Sequence, residues 1–120
     1  MQYEMHKRDD GILCVSLIGD VDEESMMGLI EDYQPFIEAA TEEQPLLVLW
    51  EISQAGKLSA KARKTLAGLG HDPRLGKSAI VGMGRYQRVM TGFISRATGW
   101  DDMGFFESEE KALDWLNATR

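Results

Sequence analysis

Apolar residues in this chain fall into short runs whose spacing switches between the two-residue period of a strand and the 3.6-residue period of a helix. The segment Gln2–Lys7 is short and mixed, which predicts an edge strand, and Asp9-Asp10-Gly11 then supplies a hairpin turn. Residues 12–18 are apolar on both alternating faces, so a strand covered on both sides is expected, ending at Gly19 and Asp20. Met26, Leu29, Ile30, Tyr33, Ile37 and Ala40 recur at helical spacing beneath an acidic outer face. The start of that helix has two readings: Asp20 with Glu23 has the character of a capping box, and Asp22 is equally placed to cap. Pro35 lies inside the pattern and removes one main-chain hydrogen bond, so the helix should kink there or split near Glu31. Met26 and Met27 read as core filling.

Residues 42–45 form a loop, and residues 46–52 make a continuous apolar run that predicts a central, parallel-type strand. A loop over residues 53–57 leads to a second helix marked by Leu58, Ala62, Leu66 and Leu69, with Ser59 as its N-cap and Gly70 at its end. His71, Asp72 and Pro73 are turn residues, and a strand over residues 77–83 follows. A third helix carries Tyr86, Val89, Met90, Phe93, Ile94 and Ala97 on one face, and Gly99 and Trp100 break it. The segment Met103–Phe106 is a last short strand. Ser108 caps a final helix whose first turn holds Glu109 and Glu110, docked by Ala112, Leu113, Trp115 and Leu116. The order β-β-α-β-α-β-α-β-α is that of an α/β fold. It implies a mixed, mostly parallel five-stranded sheet, four helices, right-handed crossovers and one antiparallel edge.

A chain of 120 residues is expected to make one small domain over residues 1–120, large enough to fold around a single core without staples. One cysteine excludes a disulfide framework, and two histidines leave little for zinc, so no metal and no cofactor are expected. Cys14 reads as a small buried hydrophobe rather than a reactive thiol. The polar first ten residues do not make a signal peptide, and no apolar run approaches the ~20 residues that span a bilayer. With a free thiol, this places the protein in the cytoplasm. A net charge of -7 argues against nucleic acid as a partner.

That charge is strongly polarised. Between Lys57 and Arg96 there are nine basic residues and one acid, a local charge of +8, and the rest of the chain carries -15. Such a segment is either a solvated or protomer-paired surface, or a docking face for an anionic group. Gly82-Met83-Gly84 between a strand and a helix would let an anion approach helix amides, reinforced by Arg85 and Arg88. The dinucleotide-binding pattern fails, since its third glycine position holds Gln87. The candidate ligand or anion contacts are therefore Lys57, Lys61, Arg85, Tyr86 and Arg88. No nucleophile–base pair, carboxylate pair or metal cluster stands at a diagnostic spacing. An enzyme would have to use Glu51, near the C-terminal end of a parallel strand, or His71.

The ending, Phe105-Phe106-Glu107-Ser108-Glu109-Glu110-Lys111-Ala112-Leu113-Asp114-Trp115-Leu116, resembles the close of the SpoIIAA-like group of small bacterial proteins, a short strand followed by an acidic helix start and Ala-Leu-x-Trp-Leu. Pro35 within Tyr33-Gln34-Pro35-Phe36-Ile37-Glu38, the apolar third strand and Ala79-Ile80-Val81-Gly82 extend the resemblance over essentially the whole chain. The group is related in fold to STAS and CRAL-TRIO lipid-binding domains, so the resemblance implies that sheet architecture and a homodimer, without an established activity. Anti-sigma-factor antagonists of the STAS class carry an Asp-Ser pair at the start of the second helix, and a partner kinase phosphorylates the serine. The matching stretch here is Lys57-Leu58-Ser59-Ala60, with the acidic neighbour missing. Two non-catalytic functions follow as expectations. One is the binding of a small apolar or lipid-like ligand through the second to fourth helices and the cationic segment. The alternative is a regulator that binds another protein, with Ser59 as a phosphorylation switch.

Overall fold

The longest apolar runs occupy the middle of one five-stranded sheet with strand order β1-β2-β3-β4-β5. The computed structural model describes residues 2–69, 73–82 and 103–118. Within them the elements are β1 (Gln2–Lys7), β2 (Leu13–Val21), α1 (Glu23–Glu38), β3 (Leu46–Leu58), α2 (Ala60–Leu69), β4 (Leu75–Val81), β5 (Met103–Phe106) and α3 (Glu109–Ala118). β1 pairs antiparallel with β2, and all other neighbours are parallel. The α/β class and the five strands match the expectation. Four helices were expected, and three lie among the described residues. The one expected around Tyr86 to Ala97 falls outside them.

Alternation along each strand divides the core in two. On one face Leu13, Val15, Leu17, Val48, Trp50 and Ile80 pack under Met26, Leu29, Tyr33 and Ile37 of α1 and Ala62 of α2. Tyr33 and Trp50 meet there with ring centroids 5.9 Å apart. On the other face Ile12, Leu47, Leu49, Ala79 and Val81 pack against Ala112 and Leu116 of α3. Each crossover moves one strand further in the same direction, which puts α1 and α2 side by side on one face, while α3, following the last strand, closes the other. This second cover is partial. Cys14, Ser16 and Ile18 on β2 are only half-buried, so the strand expected to be covered on both sides is fully covered on one.

Local details resolve several readings. Gly11 sits at φ 86° in the hairpin turn. Asp22 is the N-cap of α1: its carboxylate accepts from the Ser25 N–H at 2.8 Å, whereas Asp20 is used elsewhere. α1 runs unbroken from Glu23 to Glu38 with Pro35 inside it. The expected split near Glu31 does not occur, because the buried stripe of Met26, Leu29, Tyr33 and Ile37 holds both halves on the sheet. Met27 is 65% exposed, not core filling, since one helical step of 100° turns it away from Met26. β4 is Leu75–Val81 rather than residues 77–83, drawn earlier by the pairing of Leu75 with Leu46. Ser108 caps α3 as expected, accepting from the Lys111 N–H at 3.2 Å.

Two stability outcomes follow. Ser78 is fully buried and its hydroxyl has no hydrogen-bond partner among the described residues. Ser78→Ala removes that desolvated group and should stabilise the fold by about 1 kcal/mol in urea denaturation. The Ser25 N–H holds the Asp22 carboxyl below its ordinary pKa. The stabilisation from this cap is present above the unfolded carboxylate range and is lost as pH falls through the lower folded value. Asp22→Asn keeps the cap without the titration, so its melting temperature should fall less steeply with acid than that of the unaltered chain.

Candidate functional site

β3 outlasts its neighbour. Its pairing with β4 stops at Glu51–Val81, but the strand continues to Leu58 beside the end of β2. The loop expected over residues 53–57 is therefore strand, and β2 likewise runs past Gly19 and Asp20 to Val21. Register explains how. Between Ser16–Glu51 and Ile18–Gln54, and again between Gly19–Ala55 and Val21–Leu58, β3 spends one more residue than β2. These are two bulges, and each turns a backbone N–H out of the regular ladder.

Side-chain carboxylates take both amides. Glu51 Oε1 accepts from the Ser53 N–H at 2.8 Å, and Asp20 Oδ1 accepts from the Lys57 N–H at 2.8 Å. Each carboxylate is covered by a glycine that leaves no room for a side chain. A Cβ on Gly56 would collide with Asp20 Oδ1. One on Gly82, at φ 82°, would lie 2.6 Å from the Ser53 nitrogen. Glu51, the strand-end residue singled out for an enzyme, is thus engaged in holding the sheet. Asp20, read as a possible cap, does the same work at the second bulge.

The second bulge delivers the chain into α2. Ser59 N–H donates to the Val21 carbonyl at 3.0 Å, and Ser59 Oγ accepts from the Ala62 N–H at 3.1 Å. Ser59 is the N-cap, as the sequence indicated, and it is half-buried. Lys57 and Lys61 flank it and are exposed. Lys61 Nζ lies 3.3 Å from Glu23 Oε2, an ion pair between the first turns of α2 and α1. With side chains 74% and 54% exposed, that pair is easily exchanged for another partner.

Of the candidate ligand contacts, the structure brings Lys57 and Lys61 together around Ser59. Arg85, Tyr86 and Arg88, like His71, lie outside the described residues. Cys14 is half-buried, and burial pushes its thiol pKa up, away from the thiolate. Among the described residues no group of three His, Cys, Asp or Glu gathers to hold a metal ion. No described helix is long and apolar enough to cross a membrane. One apolar groove lies on α1, lined by Met27, Ile30, Glu31, Gln34, Pro35 and Glu38. The residues missed by sequence reasoning are Asp20 and Gly56 as bulge supports and Glu23 as the counter-charge to Lys61. Only an uneven strand register marks the first two, and register is not visible in one sequence.

Gly82→Ala tests the first bulge. Positive φ and the contact with the Ser53 amide act together, so the variant should lose at least about 1 kcal/mol of stability in a urea melt.

Comparison with known proteins gives one family. The SpoIIAA-like family model matches residues 12–117. No curated protein matches the chain. An uncharacterised DUF3478-family protein with a SpoIIAA-like fold from Shewanella loihica PV-4 superposes with a TM-score of 0.72 at 24% identity, covering 96% of this chain and 92% of its own. The anti-sigma factor antagonist SpoIIAA in its unphosphorylated form gives a TM-score of 0.72 at 11% identity, covering 97% and 98%. These two likenesses establish the fold, and the family match over nearly the whole length says the rest: this chain belongs to the SpoIIAA-like family.

Proposed function

We propose that this chain is a non-catalytic regulatory domain that binds another protein through the β3–α2 junction, with Ser59 as the residue whose phosphorylation switches binding. It acts in the cytoplasm as a homodimer. The observation that carries the reading is the way the junction is built. Ser59 sits at the start of α2 between two exposed lysines, on backbone fixed by the Asp20–Lys57 and Ser59–Val21 hydrogen bonds. A rigid, exposed helix start suits recognition, and a phosphate there would meet the positive end of the helix dipole. It would also compete with Glu23 for Lys61, loosening the link between the first turns of α1 and α2. The family match and the fold shared with an anti-sigma factor antagonist support the same reading.

The non-catalytic part of the proposal is supported by Glu51, whose carboxylate is taken up by the Ser53 amide. The other reading, a small apolar or lipid-like ligand held by the second to fourth helices, depends on Arg85, Tyr86 and Arg88, outside the described residues. The groove on α1 carries Glu31 and Glu38, where an anionic headgroup would need cations.

The test is phosphate mapping. The purified chain is incubated with ATP and a lysate of the cells that produce it, and its peptides are then mass-mapped. Phosphate should appear on the peptide containing Ser59 and be missing from Ser59→Ala, which stays folded because the lost cap costs only about 1 kcal/mol. No phosphate on Ser59, in a lysate that phosphorylates its own proteins, overturns the switch.

A further inference from the structure

We propose that the homodimer forms edge to edge, by antiparallel pairing of β1 with β1 of a second copy, with Met5 facing its twin on the two-fold axis. This rests on the homodimer reading above and names the surface that makes it.

The sheet has two edges, and β1 is the longer, with 6 residues against 4 in β5. The hairpin fixes which way its main-chain groups point. The Arg8 N–H donates to the Ile12 carbonyl at 2.8 Å, and the Arg8 carbonyl accepts from the Gly11 N–H at 3.0 Å. Arg8 therefore turns both groups toward β2. Pairing then continues without a bulge from Lys7–Leu13 to Gln2–Ile18. Hydrogen-bonded and non-hydrogen-bonded pairs alternate along an antiparallel ladder, so His6, Glu4 and Gln2 also face β2. Tyr3, Met5 and Lys7 turn their N–H and C=O groups outward, to an edge where no described strand lies.

β1 has neither a proline nor a bulge to guard that edge, only charged side chains, and these select one register. Outward groups pair only where an outward residue opposes another. With Glu4 on the axis, like carboxylates face each other. With His6 on the axis, Tyr3 opposes no residue of the second strand. With Met5 on the axis, Tyr3 pairs with Lys7 of the second copy, Met5 pairs with Met5, and every outward group of β1 is satisfied.

The side chains then complement one another on both faces. Glu4 stands opposite His6 of the second copy, in the non-hydrogen-bonded position where side chains come closest. Both are exposed in the single chain, and an imidazole N–H is a donor to a carboxylate in either charge state. On the α1 side, Tyr3 and Met5 pack at the margin of the core and are half-buried. A second Met5 closes that margin. The Tyr3 hydroxyl donates to the Asp32 carboxylate of α1. Lys7, exposed in the single chain, stands beside the other copy's Tyr3 in this register and brings its ammonium to the same carboxylate. The two-fold axis runs perpendicular to the sheet, repeats each contact and makes one continuous sheet.

Sedimentation velocity tests it. The unaltered chain should be a dimer. Met5→Pro deletes the N–H on the axis and keeps every β1–β2 hydrogen bond, so it should be monomeric and still melt in one cooperative transition. His6→Glu sets carboxylates opposite each other twice and should raise the dimer dissociation constant about tenfold. Adding Glu4→Lys to His6→Glu restores opposite charges across the axis and should recover the dimer, which also shows that these chains are folded. A monomeric unaltered chain overturns the homodimer reading itself. A dimer that survives Met5→Pro overturns this edge and leaves the homodimer standing. A His6→Glu dimer as tight as the unaltered one, or a double variant that does not recover, overturns the register.

Discussion

A backbone N–H turned out of a sheet ladder needs another acceptor, and β3 has two of them within five residues. The Ser53 and Lys57 amides are displaced by successive bulges, and Glu51 and Asp20 accept them. Everything at the upper end of the sheet depends on those two hydrogen bonds. They let β3 continue beyond β4, they carry β2 along as far as Val21, and they require glycine at positions 56 and 82, where the carboxylates or the bulged backbone would meet any side chain.

The same device sets where the helices begin. β2 ends at Val21 and α1 starts at Glu23, while β3 ends at Leu58 and α2 starts at Ala60. Because the paired strands finish level, at Val21 opposite Leu58, the first turns of α1 and α2 start level too. That is what brings Glu23 against Lys61 and leaves Ser59 on the rim between them. The chemistry of the junction is therefore a consequence of register. Two extra residues in β3 convert a strand end into an exposed, positively flanked helix start.

Charge polarity adds a second layer. α1 carries acids and no base, α2 carries bases and no acid, and these adjacent helices share one core. Burial explains the adjacency without reference to charge, because Met26, Leu29, Tyr33 and Ile37 on one helix and Ala62 on the other seek the same apolar sheet face. The outward faces were then free to diverge. Met27 shows how fine that division is, since it stands one residue from a fully buried methionine and faces solvent.

Much of the architecture was legible in the order of residues alone. Periodicity located every described strand and helix, Asp9-Asp10-Gly11 marked the hairpin, and Ser59 and Ser108 were recognisable as caps, because each of these depends on neighbours within one turn. The chain ending and Pro35 carried the family resemblance. Strand ends were not legible. Glycine and polar residues at 19, 20 and 53–57 look like punctuation locally, yet they are strand because each segment supplies the other's partner. Nor was the work of Asp20 and Glu51, since an acid near a strand end has the same local signature whether it caps a helix, serves a reaction or closes a bulge. Sequence by itself determined the elements, their faces and the uneven charge, all properties of short range. Only tertiary structure decided the bulges and the meeting of Glu23 with Lys61. Those depend on which residues lie opposite one another across the sheet and between the helices, and that pairing exists only once the chain has folded.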